Sequence, residues 1–123
     1  MSLPREIHGH EVEGEDVRVR VLAMDTPLDG ASHQYRFERE DGGQVGYLNF
    51  HLGEIEENVN DVNGTTHAAV IVVLIDMLKG LQTGAGAHKQ NDFAIKRLEE
   101  ALRAAQVKIK ESIEKKAAEL SSV

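Results

Sequence analysis

AAVIVVLIDMLKGLQ, residues 68–82, is the stretch that decides the fold. Its centre, Val70 to Ile75, is rich in β-branched residues and taken alone suits a buried strand. Three features turn the reading to a helix. The run is longer than an ordinary strand, Met77, Leu78 and Leu81 continue its apolar face, and Thr83-Gly84-Ala85-Gly86-Ala87 follows as a C-terminal stop. Thr65 or Thr66 stands where an N-cap hydroxyl accepts from an orphan backbone N–H. Being apolar all round, this helix is expected to be the buried central element. Its longest apolar stretch, Ala68 to Leu78, is 11 residues with Asp76 inside it. A membrane span needs roughly 20.

Beyond the glycine-rich connection, residues 88–121 contain neither Gly nor Pro. Ile95, Leu98, Leu102, Ala105, Ile109 and Ile113 recur at spacings of 3 and 4, the signature of an amphipathic helix. Glu99/Arg103 and Glu111/Lys115 are i,i+4 pairs in the favourable order. Such a helix is roughly 50 Å long, whereas a single domain of this size has a radius of gyration of about 14 Å. The helix is therefore expected to project beyond its own domain, with its apolar stripe meeting another copy of the chain.

Upstream the period changes to two. Val17, Val19 and Val21 alternate with Arg18 and Arg20; Tyr35 and Phe37 alternate with Gln34, Arg36 and Glu38; Leu48, Phe50 and Leu52 share a face. These segments, 16–24, 33–40 and 44–52, predict three antiparallel strands. Thr26-Pro27-Leu28-Asp29-Gly30 and Asp41-Gly42-Gly43 supply the turns between them. Residues 1–14 carry little to bury and are expected to be a flexible N-terminal segment. The predicted architecture is α+β: a single domain over 15–123, with a β-meander over 15–57 packed on a helical hairpin over 65–121.

Charge divides at the same place as pattern. Residues 1–61 hold 14 Asp/Glu against five Lys/Arg, a net of −9; residues 62–123 hold seven against nine, a net of +2. The whole chain is at −7, a poor match to a nucleic-acid polymer, whose non-specific binding relies on excess Lys and Arg. Cysteine is absent, which excludes a disulfide framework, a thiolate metal site and a cysteine nucleophile. No basic segment followed by an apolar stretch opens the chain, so no secretory leader is read there.

Six histidines are scattered over different segments without a metal-binding spacing. Ser32-His33 are neighbours along a predicted strand and point to opposite faces, which does not make a triad. Gly84-Ala85-Gly86 lacks the lysine of a phosphate loop, and a plain hairpin turn accounts for it. From Lys96 to Lys116, seven Lys/Arg face four Glu. A solvated face explains them, and within an acidic chain they are also where an anion finds cations. With no acid/base or nucleophile signature, no metal and no cofactor indicated, the residues point to binding rather than catalysis.

Five motifs occur in a fixed order: ASHQY (31–35), NFHLGEIEE (49–57), VNGTTH (62–67), DMLKGLQTG (76–84) and KQNDFAIKRLEEAL (89–102). Together they resemble the phage anti-Thoeris sponge proteins, related through the helical hairpin to the phage anti-CBASS sponges, over roughly residues 15–110. The resemblance implies a protein of the infected bacterium's cytoplasm. It would bind a cyclic ADP-ribose isomer, and cyclic di- or trinucleotides at separate sites, and hold the signal away from its effector without cleaving it. It also implies self-association as a dimer or hexamer, with pockets between protomers.

That family's pocket uses an aromatic in a Phe-Gln turn, an asparagine opening the long helix and an arginine about 17 residues further along. The matching positions are Leu81 with Gln82, Asn91 and Lys108. Lys89 and Arg36 are further cations implied near the site. Leu81 replaces a base-stacking platform with apolar contact, and Lys108 keeps the charge but not the planar fork that suits phosphate. Leu81 equally suits a core position, Asn91 a helix N-cap, and Lys108, like Arg18, Arg20 and Arg36, a solvated face. A ligand-free oligomeric interaction protein with the same hairpin is the competing expectation. A hydrolase of the same signal is a third, with least support.

Overall fold

The computed structural model describes residues 3–27, 30–51 and 62–122. The order is β1 (Arg5–Ile7), β2 (Val19–Ala23), β3 (Gln34–Arg39), β4 (Gln44–Asn49), α1 (His67–Leu81) and α2 (Lys89–Ser121). This is the predicted α+β class: a four-stranded antiparallel sheet in the order β1-β2-β3-β4, then two helices, the last long. The chain divides into two compact units, Met1–Thr65 and Thr66–Val123. The boundary lies beside Asn63-Gly64, where the sequence pattern changes.

In the sheet unit, β2 and β3 run in the register Val19↔Arg39 to Ala23↔Tyr35, and β3 pairs with β4 from Gln34↔Asn49 with a bulge at Phe37/Glu38. The β3–β4 turn is closed by Asp41. Its Oδ1 accepts from the Gly43 N–H at 2.9 Å, and its carboxylate meets the Arg39 fork at 3.0 Å twice. Gly42 takes φ +90°, the left-handed conformation that a tight turn needs and a side chain resists. The β2–β3 connection is tied by Asp25, which accepts from the backbone N–H of His33 and Gln34 at 3.0–3.1 Å. Burial pushes the Asp25 carboxyl up, but the N–H groups of Gln34 and His33 outweigh it and hold it below its ordinary value. Residues 28 and 29 of the predicted turn, and Leu52 of the predicted third strand, lie outside the described residues.

One element of this unit is not expected from the sequence, and one expectation is corrected. Arg5–Ile7 form edge strand β1, with Glu6 opposite Leu22, and make β2 an interior strand. Three residues are too few for alternation to register, so pairing with β2 creates this strand rather than local propensity. Glu38, read as a member of the polar face, is only 3% exposed. Arg20, directly across from it on β2, donates to Glu38 Oε1 at 2.8 Å, and Arg36 donates to Oε2 at 2.6 Å. Arg20 also reaches Glu6 at 3.0 Å. An alternating charge ladder thus crosses three strands, and it is what makes a buried carboxylate tolerable.

In the helical unit, the strand-or-helix ambiguity of residues 68–82 resolves as the helix α1. The Thr66 side chain caps it, accepting from the Ala69 N–H at 3.1 Å. Ile75 of α1 and Ile95 of α2 are its buried residues, each 8% exposed. Ala68, Ile71, Ile75 and Leu78 form the stripe of α1 that is covered, and Ile95, Leu98, Leu102 and Ala105 that of α2. Glu99 pairs across the hairpin with Lys79 at 3.8 Å rather than with Arg103, and Arg97 pairs with Glu100 at 3.0 Å. Within the helical unit α1 is not covered on all sides, as had been expected of it: α2 covers a single stripe, and Val72, Val73, Leu74 and Met77 lie off that stripe.

Candidate functional site

Five of the six candidate residues belong to the helical unit, and three meet at the hairpin turn. Leu81 is the last residue of α1 and Gln82 its C-cap. The loop after it is wound by short backbone bonds, Thr83 N–H to Gly80 O, Gly84 N–H to Leu81 O and Ala87 N–H to Gly84 O, all 3.1–3.2 Å. His88 then caps α2, its Nδ1 accepting from the Gln90 N–H at 3.0 Å. Asn91 is therefore not the N-cap.

Gln82 and Asn91 form a clasp across this loop. The Gln82 amide nitrogen donates to His88 O and to Asp92 Oδ1, both at 3.0 Å. Its oxygen accepts from the His88 N–H at 2.8 Å and from Asn91 Nδ2 at 2.9 Å. A primary amide has two donors and two lone pairs, so Gln82 is saturated. Asn91 uses its second donor on Gly86 O at 3.1 Å. What Asn91 keeps is the acceptor Oδ1, which suits a hydroxyl or a base N–H and repels a phosphate oxygen. Leu81 leans over Gly86: a methyl group at Gly86 would stand 2.9 Å from Leu81 Cδ2, so glycine lets the loop pass under the leucine. Leu81 remains partly open to solvent and Lys89 is exposed.

Lys108 lies elsewhere. It follows Asn91 by seventeen residues of continuous helix, roughly 25 Å along the axis. A single chain does not bring Asn91 and Lys108 to one small ligand; two copies are needed for both to touch it. Arg36 belongs to the sheet unit, where Nη2 is held by Glu38 and Nε is buried without a hydrogen-bond partner.

The motifs that carry the family resemblance have local structural jobs. In ASHQY, the Ser32 hydroxyl donates to Asp25 O at 3.3 Å, the Tyr35 hydroxyl donates to Ser32 O at 3.3 Å, and the Tyr35 ring meets Phe50 edge-on at 6.0 Å. In VNGTTH, the Asn63 N–H donates to His51 Nδ1 at 3.2 Å, Thr65 bridges the end of β4, and Thr66 caps α1. At Gly64 a side chain would strike the backbone of Asn49, Phe50 and His51 at 2.5–2.7 Å, so this crossing requires glycine. Residues 52–57 of NFHLGEIEE lie outside the described residues. Sequence reasoning missed His88 as a cap and Asp92 as a clasp partner. A histidine cap carries no strong compositional signal, and Gln82–Asp92 is a contact between two helices.

An open crevice of about 610 Å³ in the sheet unit is lined by Glu15, Asp16, Val17, Arg18, Arg39, Glu40 and Asp41. Its two arginines are paired within it, Arg18 with Glu40 at 3.4 Å and Arg39 with Asp41 at 3.0 Å, which leaves a net negative lining unsuited to a phosphate. Among the described residues, no three His, Asp or Glu stand together as a metal site. Comparison of the chain with known protein families and with curated protein sequences returns no match.

Proposed function

We propose that this chain is a non-catalytic binding protein that sequesters a cyclic nucleotide immune signal, a cyclic ADP-ribose isomer or a cyclic di- or trinucleotide, in the cytoplasm of a phage-infected bacterium. The observation that carries this reading is the construction of the hairpin turn. Gln82 and Asn91 brace the loop, and the braced end of the hairpin holds an exposed Lys89, a part-open Leu81 and the unfilled acceptor of Asn91. A rigid platform loses little entropy on binding, and these groups answer a nucleotide's phosphate, base face and hydroxyls respectively. The family resemblance of the motifs supports the same class of ligand. The separation of Asn91 from Lys108 favours a site completed by a second copy.

Isothermal titration with glycocyclic ADP-ribose and with cyclic di- and trinucleotides tests this. Micromolar or tighter binding, with the ligand recovered chemically intact after the protein is denatured, is the expected result. No heat from any of them with folded protein overturns it. Altered nucleotide in the recovered material would instead indicate a hydrolase.

One observation favours a second reading, a ligand-free oligomeric interaction protein. Gln82 is saturated and both Asn91 donors are engaged inside the turn, so these residues hold the hairpin whether or not a ligand exists. Tight binding of any cyclic nucleotide decides against it.

A further inference from the structure

We propose that the outer edge of β4 docks an extended, positively charged peptide segment of another protein, which adds to the sheet as a further strand. This concerns the sheet unit by itself and stands whether or not a nucleotide is held.

The sheet runs in the order β1-β2-β3-β4, so β1 and β4 are its edges. The β1 edge is three residues long and carries Arg5 and Glu6, a length and charge that discourage further pairing. β4 has six residues, Gln44–Asn49, with neither a charged residue nor a proline among them. Val45 and Tyr47 are 53% and 48% exposed, and both residue types favour extended backbone.

The register shows which backbone groups this edge offers. In an antiparallel pair, successive residues turn their N–H and C=O alternately toward the partner strand and away from it. The Gln34 C=O accepts from the Met24 N–H at 2.8 Å, so Gln34 and, two residues on, Arg36 face β2. Their partners on β4, Asn49 and Tyr47, therefore turn their own groups outward. The irregularity at Phe37/Glu38 falls nearer the hairpin turn and leaves this pairing intact.

Part of the outward row is already used. The Asn49 C=O accepts from the Thr65 N–H at 2.7 Å, and the His51 N–H donates to the Thr65 C=O at 2.8 Å. Thr65 thus lies on this edge as a single residue of an added parallel strand. Two residues earlier, Asn63 gives its N–H to His51 Nδ1 instead of continuing the ladder. The Asn49 N–H and both backbone groups of Tyr47 remain, and among the described residues nothing pairs with them.

A row of outward N–H and C=O groups fits one chemistry, an extended polypeptide backbone. Charge then selects the occupant. Residues 1–61 sum to −9, so two sheet units repel one another edge to edge, whereas a strand rich in Lys or Arg is drawn in. A basic partner is thereby favoured over a second copy of β4.

The probe is a fluorescein-labelled octapeptide of alternating Lys and Val, titrated with the full chain and followed by anisotropy. Its counterparts carry Glu for Lys, or are N-methylated at every amide. The basic peptide is expected to bind at ~100 μM or tighter, and both counterparts at least roughly tenfold more weakly. Tyr47→Pro removes an outward N–H but no bond to β3, a position where an edge strand tolerates proline. It is expected to weaken binding at least roughly tenfold, with circular dichroism unchanged, while Tyr47→Thr keeps the N–H and stays within about threefold of the parent. If Tyr47→Pro does not fold, the N-methylated peptide decides. Any of four results overturns the proposal: no binding of the basic peptide at ~1 mM, equal affinity for either counterpart, equal loss from Tyr47→Pro and Tyr47→Thr, or self-association that Tyr47→Pro abolishes, which would assign the edge to a second copy.

Discussion

Gln82→Ala isolates the clasp that closes the helical hairpin. The substitution removes four hydrogen bonds of 2.8–3.0 Å, one of them to the Asp92 carboxylate. Net values for a protein hydrogen bond are about 0.5–1.5 kcal/mol, and about 1.5–3 when a charged group takes part. The loop is exposed, so water replaces part of what is lost, and the lower end of each range applies. Three neutral bonds and one charge-assisted bond then amount to about 3 kcal/mol. Asn91→Ala removes two of these turn bonds, to Gln82 and Gly86, and about 1 kcal/mol is expected. Urea unfolding followed by circular dichroism at 222 nm measures both, at one fixed protomer concentration because association adds to apparent stability. The double variant should be less destabilised than the sum by at least ~0.5 kcal/mol, since Gln82 and Asn91 share a bond. A Gln82→Ala loss below ~0.5 kcal/mol, or strict additivity, refutes the clasp. The same series clarifies any binding defect of Asn91→Ala: loss of affinity matched by loss of hairpin stability belongs to the brace, and loss of affinity without it belongs to Oδ1.

Arg36→Ala leaves the buried Glu38 with Arg20 alone, and a loss of about 2 kcal/mol by chemical denaturation is expected, with no such loss for the exposed Arg18→Ala. Gly64→Ala sets a methyl group against backbone rather than a movable side chain, so a loss of about 2–3 kcal/mol is expected in the same assay, against less than ~1 kcal/mol for Gly86→Ala, where Leu81 can turn aside. The Gly9 N–H and the His8 side chain hold the Glu11 carboxyl down to about 2, from an ordinary 4.5. A carboxyl depressed in the fold favours folding above its unfolded value and loses that contribution as pH falls through the folded one, here between about 4.5 and about 2. Glu11→Gln should flatten the stability–pH curve in that window, and Asp25→Asn should act in the same direction; unchanged curves would remove these carboxyls from the acid response.

Much of the fold is legible because it rests on local periodicity. Alternation at Val19 and Val21, and at Tyr35 and Phe37, writes β2 and β3; Asp41-Gly42-Gly43 writes the hairpin of β3 with β4; the 3-and-4 spacing from Ile95 onward writes α2. The edge strand β1 was not legible, since three residues hold no period and pairing with β2 decides it. Glu38 was misjudged for a related reason. Alternation says which face a side chain takes, but not that Arg20 and Arg36 converge on it and permit its burial. The candidate site divides the same way. The resemblance of the motifs pointed to Gln82 and Asn91, whereas their mutual bond, the role of His88 as a cap and the reach of Gln82 to Asp92 depend on how closely two helices approach.

The sequence by itself determined that two helices occupy residues 67–81 and 89–121 and that a β-meander precedes them. These follow from hydrophobic period, which is a property of neighbours along the chain. Only the tertiary structure decided that α2 covers a single stripe of α1, that α1's cover of α2 ends at Ala105, and that Asn91 and Lys108 stand too far apart for one chain to join them on a small ligand. Those are questions of which surface meets which. Burial and distance are set by contacts between residues remote in sequence, and an apolar period shows that a face needs cover without showing what covers it.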